Sequence, residues 1–454
     1  MSNIGNAELL QRMRDTKKEN IGYQRVSALL DEGSFHELGG LSVSGEDLTE
    51  AAAGYGTIQG CPVYCFGQNS DIAGGAMSKA QAAKIEKVYA MAAETGLPVV
   101  GIYDSIGGRL KENGTLLTSY GNILRAANRL SGVVPQIAVI LGPCIGTTAL
   151  IAASADFVIM SDHAELTVST AGEGGAAQEA SKLGLCQIQV SKEEEVFDMV
   201  RRLISMLPSN NLSPDFSLDF KDTKDTVETY CPDELPSPVS VITAVCDDSE
   251  FVELSKEFGC PTVTGLGLLA GCTVGMVAFQ GTIGPDSCEK AAKLVRFCDA
   301  FSLPVVTFVD AEKFTTIREA SKLSSCYTEA TAPKISVIMG SAVGTVYVAL
   351  CGKANSDYTL AWPDTVISPL APQTEAVFLW KERLSGSDNP VEDRRHLIEE
   401  YRSTQASSFS AAASGLVEDI IFPQETRSKL IFTLEMLSSK RVSSLPKKHS
   451  TIQV

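Results

Sequence analysis

Two stretches of the chain place glycine where the backbone itself can do chemistry. Residues 135–147 read PQIAVILGPCIGT, and residues 333–345 read PKISVIMGSAVGT. Each carries an apolar run, a glycine (Gly142, Gly340), a second glycine four residues on (Gly146, Gly344), and then threonine. Glycine lets peptide N–H groups approach a ligand closely. A helix that starts there aims unpaired N–H groups and the positive end of its dipole at one point. Such a turn suits a developing oxyanion, either a thioester enolate or a polarised carbonyl. The same small residues also let a helix pack closely on a sheet, and spacing alone leaves both readings open. A third glycine-containing loop, DSIGGRLKENG at 104–114, carries Arg109 and Lys111, which suit a phosphate or carboxylate. A solvated polar loop is the alternative for it.

Side-chain constellations are scarce by comparison. The four histidines are His36, His163, His396 and His449, and none sits in an H-E-x-x-H pattern. The nucleophile elbow G-x-S-x-G, the Walker A loop and G-x-G-x-x-G do not occur. The twelve cysteines form no C-x-x-C pair, so neither a zinc site nor a redox dithiol is indicated; they read as reduced thiols in a cytosolic core. These patterns favour chemistry done by backbone electrostatics and a delivered cofactor, with no metal.

Composition sets outer limits. The chain has 454 residues, which predicts two domains of roughly 200 residues each. Hydrophobic content of 44% with 20% charged residues reads as globular. A net charge of −17 argues against nucleic-acid binding, which needs a basic surface. The polar N-terminus, MSNIGNAELLQRMRDTKKEN, is no secretory signal. The apolar stretch from Gly265 to Gly284 is rich in glycine and β-formers, which predicts two short buried strands instead of a membrane helix.

The elements that would position the two turns recur with them. LPVVGIYD ends at Asp104 and LPVVTFVD ends at Asp310. Before each lies a helical pattern, with Ile85, Val88, Tyr89 and Ala92 on one face in the first, and Ala291, Leu294, Val295 and Cys298 in the second. Capping boxes are expected at Ser78 with Gln81 and at Asp286 with Glu289. Strand-like runs precede these, CPVYCFGQ at 61–68 and TVGMVAFQ at 273–280. Each half therefore reads strand, helix, buried strand, helix, buried strand, glycine turn, helix, built of βαβ units. The expected domains are 1–207 and 239–454, joined by an acidic linker over 208–238. The polar tail from Ser443 to Val454 is expected to be loose.

Several segments resemble the carboxyltransferase family of biotin-dependent acyl-CoA carboxylases and decarboxylases. They are LLDEGSFHELG at 29–39, Gly54-Tyr55-Gly56-Thr57, Asp104-Ser105 with Gly107 and Arg109, SGVVPQIAVILGPC at 131–144, and LPSNN at 207–211. In the second half they are EKAAKLVRFCDAFSLPVVTFVD, EATAPKISVIMG, Ala361-Trp362-Pro363 and GLVEDIIFPQETRSKL. The resemblance covers nearly the whole chain in order. It implies an α/β fold of two crotonase-like (ClpP/crotonase) ββα superhelix domains in tandem. It implies transfer of CO2 between biotin on a separate carrier and the α-carbon of an acyl-CoA. The implied partners are a biotin carboxyl carrier protein, a biotin carboxylase or membrane decarboxylase subunit, and further copies of the chain as a hexamer, a trimer of dimers. The site would lie between the first half of one subunit and the second half of another. A cytoplasmic protein, or one peripheral to a membrane complex, is implied too.

Carried over by motif, Gly146 and Thr147 form the first pair of backbone donors, and Gly344, Thr345 and Val346 the second. Gly107, Gly108, Arg109 and Ala76 are the expected cofactor-binding residues. Biotin is not expected on this chain, since Ala76-Met77-Ser78-Lys79 is not the A-M-K-M acceptor. The family more often has Gly-Gly-Ala at the turns, where Thr147-Thr148 and Thr345-Val346 stand here, and β-branched residues crowd such a site. The family's T-G-P segment is reduced to Ser169-Thr170-Ala171-Gly172, and AEKFTTIREA follows Asp310 without Pro or Gly. Two alternatives stay open: the α-subunit of a sodium-pumping acyl-CoA decarboxylase, and a non-catalytic CoA-binding or scaffold paralogue. A crotonase-type hydratase or isomerase would need a positioned carboxylate pair, and the sequence offers no convincing one.

Overall fold

A computed structural model describes residues 6–44, 47–48, 51–169, 172–213, 236–382, 389–443, 445–447 and 449–451. The chain divides into two compact units, Met1–Asp215 and Phe216–Val454. Most of the expected linker, the pair Thr170-Ala171 and part of the tail lie outside the described residues.

In the first unit, helix α1 (Ile21–Leu29) precedes an antiparallel hairpin of β1 (Ala51–Ile58) and β2 (Cys61–Gln68). Helix α2 (Lys79–Thr95) leads to β3 (Val99–Ser105), and α3 (Asn113–Leu130) leads to β4 (Gln136–Ile145). After the glycine turn come α4 (Thr147–Ala153), β5 (Phe157–Ser161), β6 (Glu165–Thr167), β7 (Ile188–Val190) and α5 (Glu193–Met206). The sheet path runs from His36–Glu37 through β1, β2, β3, β4 and β5 to β7, and β6 branches from β4. From β2 to β7 the ladders are parallel. Parallel strands covered on both faces read as continuous apolar runs, and all of β3 is buried.

The second unit repeats the plan. Helix α6 (Pro238–Val245) precedes β8 (Phe251–Leu254), β9 (Val263–Leu269), β10 (Cys272–Ile283), α7 (Pro285–Ala300) and β11 (Val305–Phe314). Helix α8 (Arg318–Glu329), β12 (Lys334–Val343), β13 (Tyr358–Ala361) and β14 (Val366–Ser368) follow. A helical pair, α9 (Pro372–Leu379) and α10 (Pro390–Thr404), then buries Ala376 against Leu397 and Tyr401. The chain closes on β15 (Asp419–Ile420) and α11 (Thr426–Leu437). The sheet path is β8-β9-β10-β11-β12-β13-β15, with β14 on β12. The apolar stretch at 265–284 is thus the β9–β10 hairpin, as its glycine and β-former content predicts. Among the described residues no helix is long and apolar enough to cross a membrane.

The expected helical faces are buried in α2 and α7. Ser78 caps α2, its Oγ accepting the Gln81 N–H at 3.1 Å, while the Gln81 side-chain oxygen accepts from Gln68. The expectation for Asp286 is corrected. Pro285 takes the first helical position and Gly284 stands before it, so Asp286 lies inside the first turn.

A further repeat lies at the start of each unit's hairpin. Asp31-Glu32-Gly33-Ser34-Phe35 matches Asp247-Asp248-Ser249-Glu250-Phe251. Each leading aspartate clips the tip of its hairpin. Asp31 accepts the N–H groups of Gln59 and Gly60 at 2.8 and 2.9 Å. Asp247 accepts those of Ala270 and Gly271 at 3.0 and 2.7 Å. At both tips the two residues have positive φ, the two-residue turn that matches strand twist.

Candidate functional site

Both glycine turns are built the same way, by a bulge in the preceding strand. Along β3 and β4, Tyr103 faces Ile140 and Ser105 faces Cys144, so Asp104 alone opposes Leu141-Gly142-Pro143. Along β11 and β12, Val309 faces Ile338 and Ala311 faces Ala342, so Asp310 alone opposes Met339-Gly340-Ser341. Such bulges bend a strand and re-aim the residues beyond the bend. Past the bulge β4 pairs with β6, and β12 with β14.

The bent legs end at Gly146 and Gly344, whose φ values are 71° and 50°. The Gly146 N–H donates to the Thr167 carbonyl at 2.9 Å, and the Gly344 N–H donates to the Ser368 carbonyl at 2.9 Å. These two N–H groups hold the turns in place. The first-turn N–H groups of each helix begin one residue on. Leu150 is the first helical donor to the Gly146 carbonyl, at 3.3 Å, so Thr147, Thr148 and Ala149 present first-turn N–H groups without intrahelical acceptors. In the second unit Val348 plays that part at 3.1 Å, which assigns Thr345, Val346 and Tyr347 the same position. Residues Tyr347–Cys351 then wind as a π-helical turn, a distortion common at functional sites.

The β-branched residues at the turns divide between surface and core. Thr147 and Thr345 are exposed, Val346 is fully buried, and the buried Thr148 hydroxyl lies 3.1 Å from the Tyr120 hydroxyl. Burial pushes the Tyr120 phenol above its ordinary range, and burial pushes the Cys144 thiol up as well. Neither is poised as an acid or nucleophile.

The other expected residues of the first unit come together beside its turn. The Met77 N–H donates to the Gly107 carbonyl at 2.8 Å, and the Arg109 N–H donates to the Met77 carbonyl at 2.9 Å. Ala76 and Gly107-Gly108-Arg109 thus lie on two zipped loops at the ends of β2 and β3. A β-carbon on Gly107 would stand 4.0 Å from the Ile145 carbonyl oxygen, next to the turn. The Ala76 N–H is taken by the Ala73 carbonyl at 3.2 Å. Ala76 is buried, and Arg109 is half-buried.

The residues after Asp310 form no such loop. With neither Pro nor Gly to stop it, β11 continues to Phe314, its last two residues beside Thr282 and Ile283 of β10. Asp310 accepts the Ser341 N–H at 2.8 Å, and burial holds its carboxyl above the ordinary range. Asp104 is different. It accepts Arg25 Nη1 at 2.6 Å and the Ser70 hydroxyl at 2.8 Å. Sequence spacing could not show this, because Arg25 comes from α1, 79 residues away.

Among the described residues no cluster of His, Cys, Asp or Glu could hold a metal ion. What each unit offers is a backbone donor set at a helix start, suited to an anionic oxygen.

The description "carboxyl transferase domain" fits residues 15–452 by family-model comparison. The chain is 34% identical to the propionyl-CoA carboxylase carboxyltransferase subunit of Haloferax mediterranei, covering 94% of this chain and 92% of that one. It is 32% identical to the methylmalonyl-CoA decarboxylase subunit alpha of Propionigenium modestum, with the same coverage. Its fold matches transcarboxylase 12S, solved as a hexamer with methylmalonyl-coenzyme A and methylmalonic acid bound. There the TM-score is 0.92, with 28% identity, over 100% of this chain and 99% of that one.

Proposed function

This chain belongs to the carboxyl transferase domain family, and from that premise we propose that it moves a carboxyl group between biotin on a separate carrier and the α-carbon of an acyl-CoA of the acetyl or propionyl size. The observation that carries the reading is the pair of helix-start donor sets, Thr147-Thr148 and Thr345-Val346, in a chain of this family. Biotin, when delivered, supplies the carboxyl group or takes it up. The chain's own residues do the rest electrostatically. When the α-carbon gives up its carboxyl group, the electron pair of the broken C–C bond moves onto the thioester oxygen. Fixed N–H groups at one turn hold that oxyanion without reorganising. N–H groups at the other turn fit the urea oxygen of biotin. The zipped loops carrying Ala76, Gly107, Gly108 and Arg109 lie beside the first turn, which supports reading them as the CoA-binding loops, and Arg109 suits the CoA phosphates.

The same proposal takes the chain as a homo-oligomer, a hexamer by likeness to transcarboxylase 12S. Its partners are a biotin carboxyl carrier protein and either a biotin carboxylase or a membrane decarboxylase subunit, and its place is the cytoplasm or the edge of a membrane complex. The likeness to a methylmalonyl-CoA decarboxylase subunit favours a second direction, in which the carboxyl group leaves the thioester for biotin. Purified protein mixed with free biotin and malonyl-CoA or methylmalonyl-CoA tests the transfer in the thioester-to-biotin sense, which a reversible carboxyltransferase also catalyses. The reading expects biotin-dependent loss of the thioester carboxylate. A folded oligomer that turns over neither would support the non-catalytic scaffold instead.

A further inference from the structure

The two units are copies, so a difference between matching bulges points to a device peculiar to one of them. In the second unit Asp310 plugs the bulge by accepting the Ser341 N–H. The matching residue in the first unit is Pro143, which has no N–H to give. Asp104 nevertheless occupies the same gap. A β-carbon on Gly142 would fall 2.3 Å from Asp104 Oδ1, so only glycine leaves room for that carboxylate. The missing donor is replaced from outside the bulge. Arg25 Nη1 reaches Asp104 Oδ2 at 2.6 Å, and the Ser70 hydroxyl reaches the same oxygen at 2.8 Å. Arg25 is 9% exposed and Asp104 6%. The guanidinium is gripped on its other edge by Glu193 of α5, at 3.1 and 3.2 Å. The Asp104 N–H donates to the Gln68 side chain at 3.1 Å, tying the plug to β2, whose end leads into the Ala76 loop.

We propose that Arg25 and Asp104 are positioning residues for the first-unit turn: the ion pair holds the β4 bulge that aims the Thr147 and Thr148 N–H groups. This rests on the reading of those groups as oxyanion donors. The signature of such a device is non-additive. Removing one partner of a buried ion pair leaves an uncompensated charge, whereas removing both leaves none. Arg25→Met strips Asp104 of its cation. Asp104→Asn leaves Arg25 its second partner, Glu193, and leaves the Ser70 hydroxyl an acceptor. Arg25→Met/Asp104→Asn removes both charges of the buried pair and leaves only Glu193, whose side chain is far more exposed to solvent than that of Asp104.

The test measures biotin-dependent decarboxylation of malonyl-CoA or methylmalonyl-CoA together with amide hydrogen exchange over residues 141–149, on the full-length oligomer. Arg25→Met should lower kcat about tenfold or more while KM for the thioester stays within about twofold, as lost alignment requires. Its exchange at 141–149 should quicken more than elsewhere in the first unit. The double variant should return to the level of Asp104→Asn in both readouts. Native kcat and native exchange in Arg25→Met would overturn the proposal, and so would a double variant as impaired as Arg25→Met. Should Arg25→Met not fold, Ser70→Ala removes one bond to the plug and should shift both readouts in the same sense; no shift in either counts against the device. If the native protein itself shows no biotin-dependent turnover, the carboxyltransferase reading fails, and the exchange data alone decide whether the pair holds the bulge.

Discussion

Gly344 has no room for a β-carbon: one would stand 2.6 Å from the Pro369 carbonyl oxygen. Gly146 has open space around it, but its φ of 71° with ψ of −133° is a conformation that L-residues resist. The two glycines should therefore fail differently. Gly344→Val should displace the β14 leg and lower stability as well as activity. Gly146→Val should cost only backbone strain, about 1–3 kcal/mol, while kcat falls roughly 10²-fold or more as the donors swing away. Thermal melts and turnover of the two variants check this, and unchanged rates in both would remove the turns from the mechanism. Asp310 yields a prediction from charge. Its carboxyl titrates above the ordinary 3.8, because burial penalises the ionised form. The native state thus holds the proton more tightly than the unfolded chain, so this group's contribution to stability falls as pH rises from 3.8 through the folded value. Asp310→Asn, which keeps an acceptor for the Ser341 N–H, should melt higher than native at neutral pH and lose that advantage in acid. An advantage independent of pH would contradict the assignment.

At the scale of elements, the hairpin clip carries a prediction of opposite sign. The Thr57 hydroxyl, then the N–H groups of Gly60 and Gln59, hold the Asp31 carboxyl below its ordinary range. That stabilisation is complete above 3.8 and is lost as pH falls through the lower folded value. Asp31→Ala should lower Tm at neutral pH, with the deficit shrinking as pH falls through the folded value. Much of this element level was legible in the sequence. The runs LPVV…D and the paired glycines gave away strand and turn, because parallel buried strands leave unbroken apolar runs, while the bulge opposite Asp104 and Asp310 shows only in the strand register. Other repeats were visible but unread. Asp31 and Asp247 are one motif. Gln136 and Lys334, the variable polar residues after the repeated prolines, serve one purpose, since each caps the preceding helix. Gln136 Nε2 donates to the Ala127 carbonyl at 3.0 Å, and Lys334 Nζ to the Ala330 carbonyl at 2.6 Å. Some features could not be read. That the Gly146 and Gly344 N–H groups are already taken depends on Thr167 and Ser368, more than 20 residues on, and no local spacing encodes those partners. The continuation of β11 to Phe314 was hidden for another reason: the stretch after Asp310 draws attention for the Pro and Gly it lacks, while AEKF simply has a neighbouring strand to pair with.

At the scale of the molecule, duplication gave two turns of one design and let them diverge around a shared core plan. The first unit keeps an ion-paired plug and two zipped loops. The second has a strand extension, a π-helical turn and an added helical pair. Such asymmetry suits a reaction with two unlike carbonyl compounds, a thioester and a urea, each needing an oxyanion site of its own. On the proposed reading the carboxyl group passes to biotin and is not simply lost. Methylmalonyl-CoA labelled with 13C in its free carboxylate, incubated with the native protein and free biotin, gives the most direct test through the 13C spectrum of the biotin fraction. The account predicts label on the biotin ureido nitrogen, absent from parallel incubations without protein. Label that leaves only as CO2 at a rate indifferent to biotin, or that stays on the thioester, would contradict it.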